Sequence, residues 1–182
     1  MTKTNLLSLL LIASLQLSAL AITNKEAISY CEKHDDAYLV TLWPNIAGVK
    51  KVKGKDSVEY VESELSKIAK IIYCRKLDLK KNGPYLFIKN VYSREQAKHN
   101  KAANFTLARE KERKSFSKWS LVRSYLVQSN DIDALIECKR RLRSKLEFNI
   151  MHIPDTHEEA VELAYFVYAD GIEKMLNEGD ID

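Results

Sequence analysis

The stretch Phe148–Ala160, FNIMHIPDTHEEA, holds the side chains best suited to chemistry. His152 brings an imidazole, which acts as nucleophile, base or metal ligand near neutral pH. Phe148, Ile150 and His152 alternate with Asn149, Met151 and Ile153, a strand pattern with both faces at least partly covered. Pro154 lacks the N–H that a ladder needs, so pairing stops there. Asp155 or Thr156 then caps a helix, Thr156 to Glu159 has capping-box spacing, and Glu158 and Glu159 suit the positive helix end. The histidine thus stands where a strand gives way to a helix, a place where α/β folds often hold ligands. Capping alone accounts for Asp155, Thr156 and Glu159. His152, Asp155 and His157 are zinc-ligand types, but the sequence offers no fourth ligand.

Two basic runs form a second group. Lys139, Arg140, Arg141, Arg143 and Lys145 crowd one helix and suit phosphate, RNA or an acidic surface. Lys50, Lys51, Lys53 and Lys55 surround Gly48 and Gly54 in a loop that attracts phosphate or is simply solvated. His34, Asp35 and Asp36 read as a solvated turn. No Gly-x-Ser-x-Gly elbow is present, so a serine hydrolase of that kind is excluded.

The elements that position these groups follow from periodicity. Asn24–Lys33 reads as a short helix capped by Thr23 or Asn24. Ala37–Trp43 is a nearly continuous apolar run, as a central strand requires, and Pro44-Asn45 ends it. Asp56–Ala69 is a helix burying Val58, Val61, Leu65 and Ile68. Lys70–Leu79 is a second strand, broken by Lys80-Lys81-Asn82-Gly83-Pro84. Tyr85–Tyr92 suits a short helix, although a strand also fits. Ala97, Ala102, Ala103, Phe105, Leu107 and Ala108 favour helix within Ser93–Lys118, and the alternating charges of Arg109–Lys114 read as a solvated face. Trp119–Gln128 is the third strand. Asp131–Leu146 is a helix with Ile132, Leu135, Ile136, Leu142 and Leu146 inward. The histidine strand comes fourth. A last helix spans Thr156–Met175, with Gly171 as its breaking point, before an acidic tail from Asn177 to Asp182. The order is strand, helix, strand, helical excursion, strand, helix, strand, helix. It fits an α+β domain: a ferredoxin-like split β-α-β fold with a four-stranded antiparallel sheet, helices on one face and a helical insertion between strands two and three.

The 182 residues make one domain with chain enough for a core, and 46% hydrophobic with 30% charged residues reads as soluble and globular. The net charge of +4 does not by itself call for nucleic acid. The N-terminus differs: Lys3, an apolar run from Leu6 to Leu17, and Ala19-Leu20-Ala21 are the three parts of a secretory signal. Residues 1–21 are therefore expected to be a signal peptide, 22–182 the exported domain, and the mature chain to have no membrane span. Cys31, Cys74 and Cys138 allow at most one internal disulfide after export, or three buried thiols in a reducing compartment.

With this order in hand, the chain resembles the nucleoside diphosphate kinase family. That family's signature Asn-x-x-His-x-Ser-Asp-Ser, with a Glu and an Ala further on, has counterparts in Asn149, His152, Asp155, Thr156, Glu158 and Ala160. The resemblance implies a phosphohistidine at His152, with Asn149 and Asp155 beside it. It implies phosphate contacts from Arg140, Arg141 and Arg143, and a nucleoside triphosphate with Mg2+ as the bound species. Trp43-Pro44-Asn45 stands where the family ends its first strand in Lys-Pro-Asp, and Leu163, with Glu162 beside it, stands where the family orients its histidine with a glutamate. The alternative expectation is an exported, non-catalytic module that binds a nucleotide, another polyanion or a protein partner through the basic helix.

Overall fold

Ala37–Leu42 forms β1, the strand on which the other elements assemble. Leu39 faces one layer, Val40 and Leu42 the other, and all three are buried. A strand apolar on both sides needs cover on both sides. The computed structural model describes residues 22–49, 52, 54–92, 104–146 and 149–180. The expected signal segment, Lys50, Lys51, Lys53, Ala97, Ala102, Ala103, Phe148 and the side chain of Phe105 lie outside the described residues.

β3, Leu121–Gln128, runs antiparallel to β1, from Ala37 opposite Gln128 to Leu42 opposite Arg123. β2, Lys70–Asp78, pairs antiparallel with the far side of β3. β4, Met151–His152, pairs antiparallel with β1, with Thr41 opposite His152. The order is β2-β3-β1-β4. β3 lies between β1 and β2, and β1 between β3 and β4, which is the ferredoxin-like split β-α-β arrangement. Inside the sheet the hydroxyls of Thr41 and Ser124, directly opposite each other, bond at 3.1 Å, so these two buried polar groups satisfy one another.

Among the described residues the helices are α1 (Asn24–Lys33), α2 (Ser57–Leu65), α3 (Gly83–Val91), α4 (Asn104–Phe116), α5 (Ile132–Leu146), α6 (His157–Val167) and α7 (Ile172–Glu178), with a 3-10 turn at Pro44–Gly48. Their starts follow local chemistry. Thr23 makes a full capping box with Glu26, Asp56 accepts from Val58 N, and Thr156 accepts from Glu159 N.

The crossover helices α2 and α5 share one face of the sheet, packing Val61, Leu65, Leu135, Cys138 and Leu142 against Val40, Tyr125 and Val127. The other face is covered too. Ala27, Phe87, Phe116, Leu163, Val167 and Leu176, one or more from each of α1, α3, α4, α6 and α7, pack with Leu39, Trp43, Leu77 and Leu126. The expectation of helices on one face is thus corrected. The insertion and the terminal helices supply the second layer that the doubly apolar β1 demands.

Local chemistry also sets the later boundaries. Gly83-Pro84 opens α3 instead of breaking the chain, because a first-turn proline forgoes only an N–H that the helix does not use. The last helix divides at Gly171, which adopts φ +74. The tail is tied down as far as Gly179: Asn177 accepts from Lys80 N at 2.6 Å and donates to Asp78 O at 3.0 Å, and Asn82 donates to Gly179 O at 2.9 Å.

The two sheet edges are treated differently. Beside β4, Arg143 donates to Met151 O at 2.6 Å and Lys139 to Ile153 O at 3.5 Å, so basic side chains of α5 occupy carbonyls that face away from β1. β2 is longer, and its register with β3 shifts between Ile71 and Tyr73.

Candidate binding site

His152 is enclosed. It is 7% exposed, and its ring meets the edge of Tyr92 with centroids 4.8 Å apart. Burial, followed by the positive charges of Lys139, Lys111 and Arg143, draws its pKa down to about 3, so the imidazole is neutral at physiological pH. Leu163, in the place of the family's orienting glutamate, belongs to the apolar layer. Asp155 serves the start of α6: its N–H donates to Glu159 Oε2 at 3.2 Å. His157 Nδ1 lies 3.1 Å from Ala37 O and its Nε2 3.8 Å from Asp35, which ties α6 to the start of β1. Among the described residues no group of three His, Cys, Asp or Glu side chains is placed to hold a metal ion.

The α5 cations are engaged within the domain. Arg140 pairs with Glu137 at 3.5 Å and Arg141 with Glu64 at 3.1 Å. Arg143 and Lys139 hold the β4 edge, and Lys145 lies over Tyr60, 5.3 Å from the ring centre. The three arginines expected at phosphate therefore line neither of the two cavities described below. In the other basic loop, Lys55 donates to Ser63 at 3.1 Å.

Asn149 does reach a cavity, of about 560 Å³, at one end of the sheet. There β1 ends at Leu42, opposite Met151 where β4 begins, and β2 ends at Asp78 opposite Leu121 where β3 begins. Asn45 in the 3-10 turn and Asn149 before β4 line it, joined by Lys111, Lys114 and Ser115 of α4 and by Ser117 and Trp119 from the lead into β3. Asn45 is 8% exposed, its Nδ2 donates to Lys114 O at 3.2 Å, and its Oδ1 is buried without a partner. Trp119 closes against Gly48, where a Cβ would come within 2.2 Å of the indole. This close approach is the reason that position lacks a side chain.

The α4 charges expected to be merely solvated have defined work. The Arg109 guanidinium sits 3.8 Å from the Tyr85 ring centre and the Lys111 ammonium 4.2 Å from that of Tyr92. Lys114 bonds Glu110 one turn back. The sequence marked Asn149 through its motif. It did not mark Lys111, Lys114, Ser115, Ser117 or Trp119, whose only signal was a basic helix running into an aromatic strand start.

Chemically, the cavity offers ammonium groups for an anion, amides and hydroxyls for hydrogen bonds, and an indole for a planar group. Among the described residues no carboxylate lines the cavity. Fold and cavity together define a ferredoxin-like α+β domain with a basic cleft at one sheet end. No protein-family model matches the chain, and no curated protein is found to be similar to it.

Proposed function

We propose that the domain is a non-catalytic binding module for a phosphate-bearing ligand of nucleotide size, held between the 3-10 turn, α4 and Asn149. One observation carries this reading. The cavity sets the ammonium groups of Lys111 and Lys114 beside the amides of Asn45 and Asn149. Lys111 and Lys114 then meet phosphate oxygens. Phosphotransfer is the weaker reading, because His152 is buried and lines neither cavity. The leader-like residues 1–21 favour action outside the cytoplasm. Titration of the purified protein with mononucleotides, followed by tryptophan fluorescence, tests the binding. Saturation is expected, with affinity falling about tenfold or more in Asn45→Asp, a loss of roughly 1.4 kcal/mol or more. A flat titration in the folded protein rejects the reading. In parallel, γ-phosphate-labelled ATP is expected to leave no label that depends on His152.

A further inference from the structure

A second cavity, of about 570 Å³, lies beside the first along the same end of the sheet, and Ser117 and Trp119 line both. Its character differs. Leu79, Pro84, Phe116 and Trp119 give it an apolar wall, while Lys80, Lys81, Arg113 and Lys118 bring positive charge. Among the described residues its one carboxylate, Glu112, is bridged by Arg109 at 3.0 Å, and Lys80 pairs with Asp78 at 2.7 Å, leaving a cationic surplus. The non-glycine residues at positive φ among those described are Lys81 at 51° and Ser117 at 38°, and both line this cavity. Such backbone is held at some cost and clusters at functional sites.

We propose that the two cavities form one bipartite site for single-stranded nucleic acid, with Trp119 between two successive nucleotides. The proposal rests on the nucleotide reading of the Asn45 cavity and extends it from one unit to a chain. Three features support a strand over a lone nucleotide. Each chamber falls within the size range of a small-molecule site. Cations occur in both: Lys111 and Lys114 in one, and Lys80, Lys81, Arg113 and Lys118 in the other, as a phosphate backbone requires. An aromatic ring stands at the divide, and stacking of this kind needs no particular base. The modest net charge of +4 is no obstacle, since the charge that matters is local.

The test uses fluorescein-labelled oligothymidylate and oligouridylate of about ten nucleotides, within the range that one small domain covers. Thymidine and uridine monophosphates and inorganic polyphosphate serve as competitors. Both oligomers are expected to bind at least about tenfold more tightly than the mononucleotides, and to lose affinity steeply between about 50 and 200 mM salt. Lys80→Ala with Lys81→Ala and Lys118→Ala, all exposed positions, should cut oligomer affinity about tenfold or more while mononucleotide affinity stays unchanged. Circular dichroism of the triple variant guards against misfolding. Oligomers that bind no better than mononucleotides, or that ignore the triple substitution, overturn the bipartite site and leave the Asn45 cavity standing. Polyphosphate competing equally per charge overturns the nucleic-acid assignment. Failure of mononucleotide and oligomer alike rejects the underlying reading as well.

Discussion

The rings of His152 and Tyr92 meet edge to face, 4.8 Å between centroids and 67° between planes. The pair seals the histidine on the side where Lys111 also lies over Tyr92. The folded pKa of about 3 lies below the ordinary 6.5, so between those values the unfolded chain binds more protons. His152 therefore costs no stability above pH 6.5, and stability drains away as the pH falls toward 3, by up to about 1.4 kcal/mol per pH unit. His152→Gln should flatten this limb, seen as acid unfolding at lower pH by circular dichroism. An unchanged acid profile would show that the imidazole charges without cost.

Asn45→Ala should cost about 1 kcal/mol of stability through the lost bond to Lys114 O, read from urea unfolding. Asn45→Asp should bind anions more weakly than Asn45→Ala does, because it adds negative charge beside the cavity lysines. The reverse order would place the anion elsewhere.

Gly48 and Gly171 matter for opposite reasons, and substitution separates them. Gly48→Ala drives a Cβ against Trp119 and should cost about 1–3 kcal/mol with a shifted tryptophan emission. Gly171→Ala meets open space but keeps φ +74, so its cost should be smaller, about 1 kcal/mol, with unchanged emission. Thermal melts of the two variants beside their emission spectra check both.

Arg143→Ala removes the donor to Met151 O at the β4 edge. Losing a charged hydrogen bond there should cost about 1.5–3 kcal/mol in urea unfolding. The variant should also elute as larger species in size-exclusion chromatography, since a bare edge recruits another strand.

Cys31 lies on one side of the sheet, Cys138 in the layer on the other with Cys74 packed against it, and all three are free thiols. Burial pushes the Cys31 thiol up to about 12 and raises the other two. A disulfide reagent at neutral pH should therefore label Cys31 and Cys138 at the rate of unfolding, with Cys74, the most accessible, reacting first. Fast labelling of Cys31 in the native protein would contradict this burial.

Much of the fold was legible because periodicity reports burial directly. The run Ala37–Leu42 announced a strand covered on both faces, although helices were expected on only one. The split of the last helix at Gly171 was legible from a single residue. The β4 strand was harder, for Phe148–Ile153 has a strand pattern, but among the described residues the ladder covers only Met151–His152, with one further bond from Trp43 N to Ile150 O. The cleft was the least legible part. Lys111 and Lys114 look like any solvated helix, and Trp119 like the start of a strand. Only the sheet order brings α4 and the entry to β3 beside Asn45 and Asn149, and chain spacing carries no trace of that order. The density of arginines in α5 suggested a ligand; in the structure Arg143 holds a short edge strand, Arg141 meets the buried carboxylate of Glu64 and Arg140 pairs with Glu137.

The unequal edges bear on how copies of this domain could assemble. With Arg143 and Lys139 on the outward carbonyls of β4, the sheet is closed to growth in that direction. β2 is the remaining direction, and there the slip between Ile71 and Tyr73 breaks the even spacing that an incoming strand would have to match. A continuous sheet through two copies would have to form across that irregularity, so the β2 edge carries its own mismatch against polymerisation.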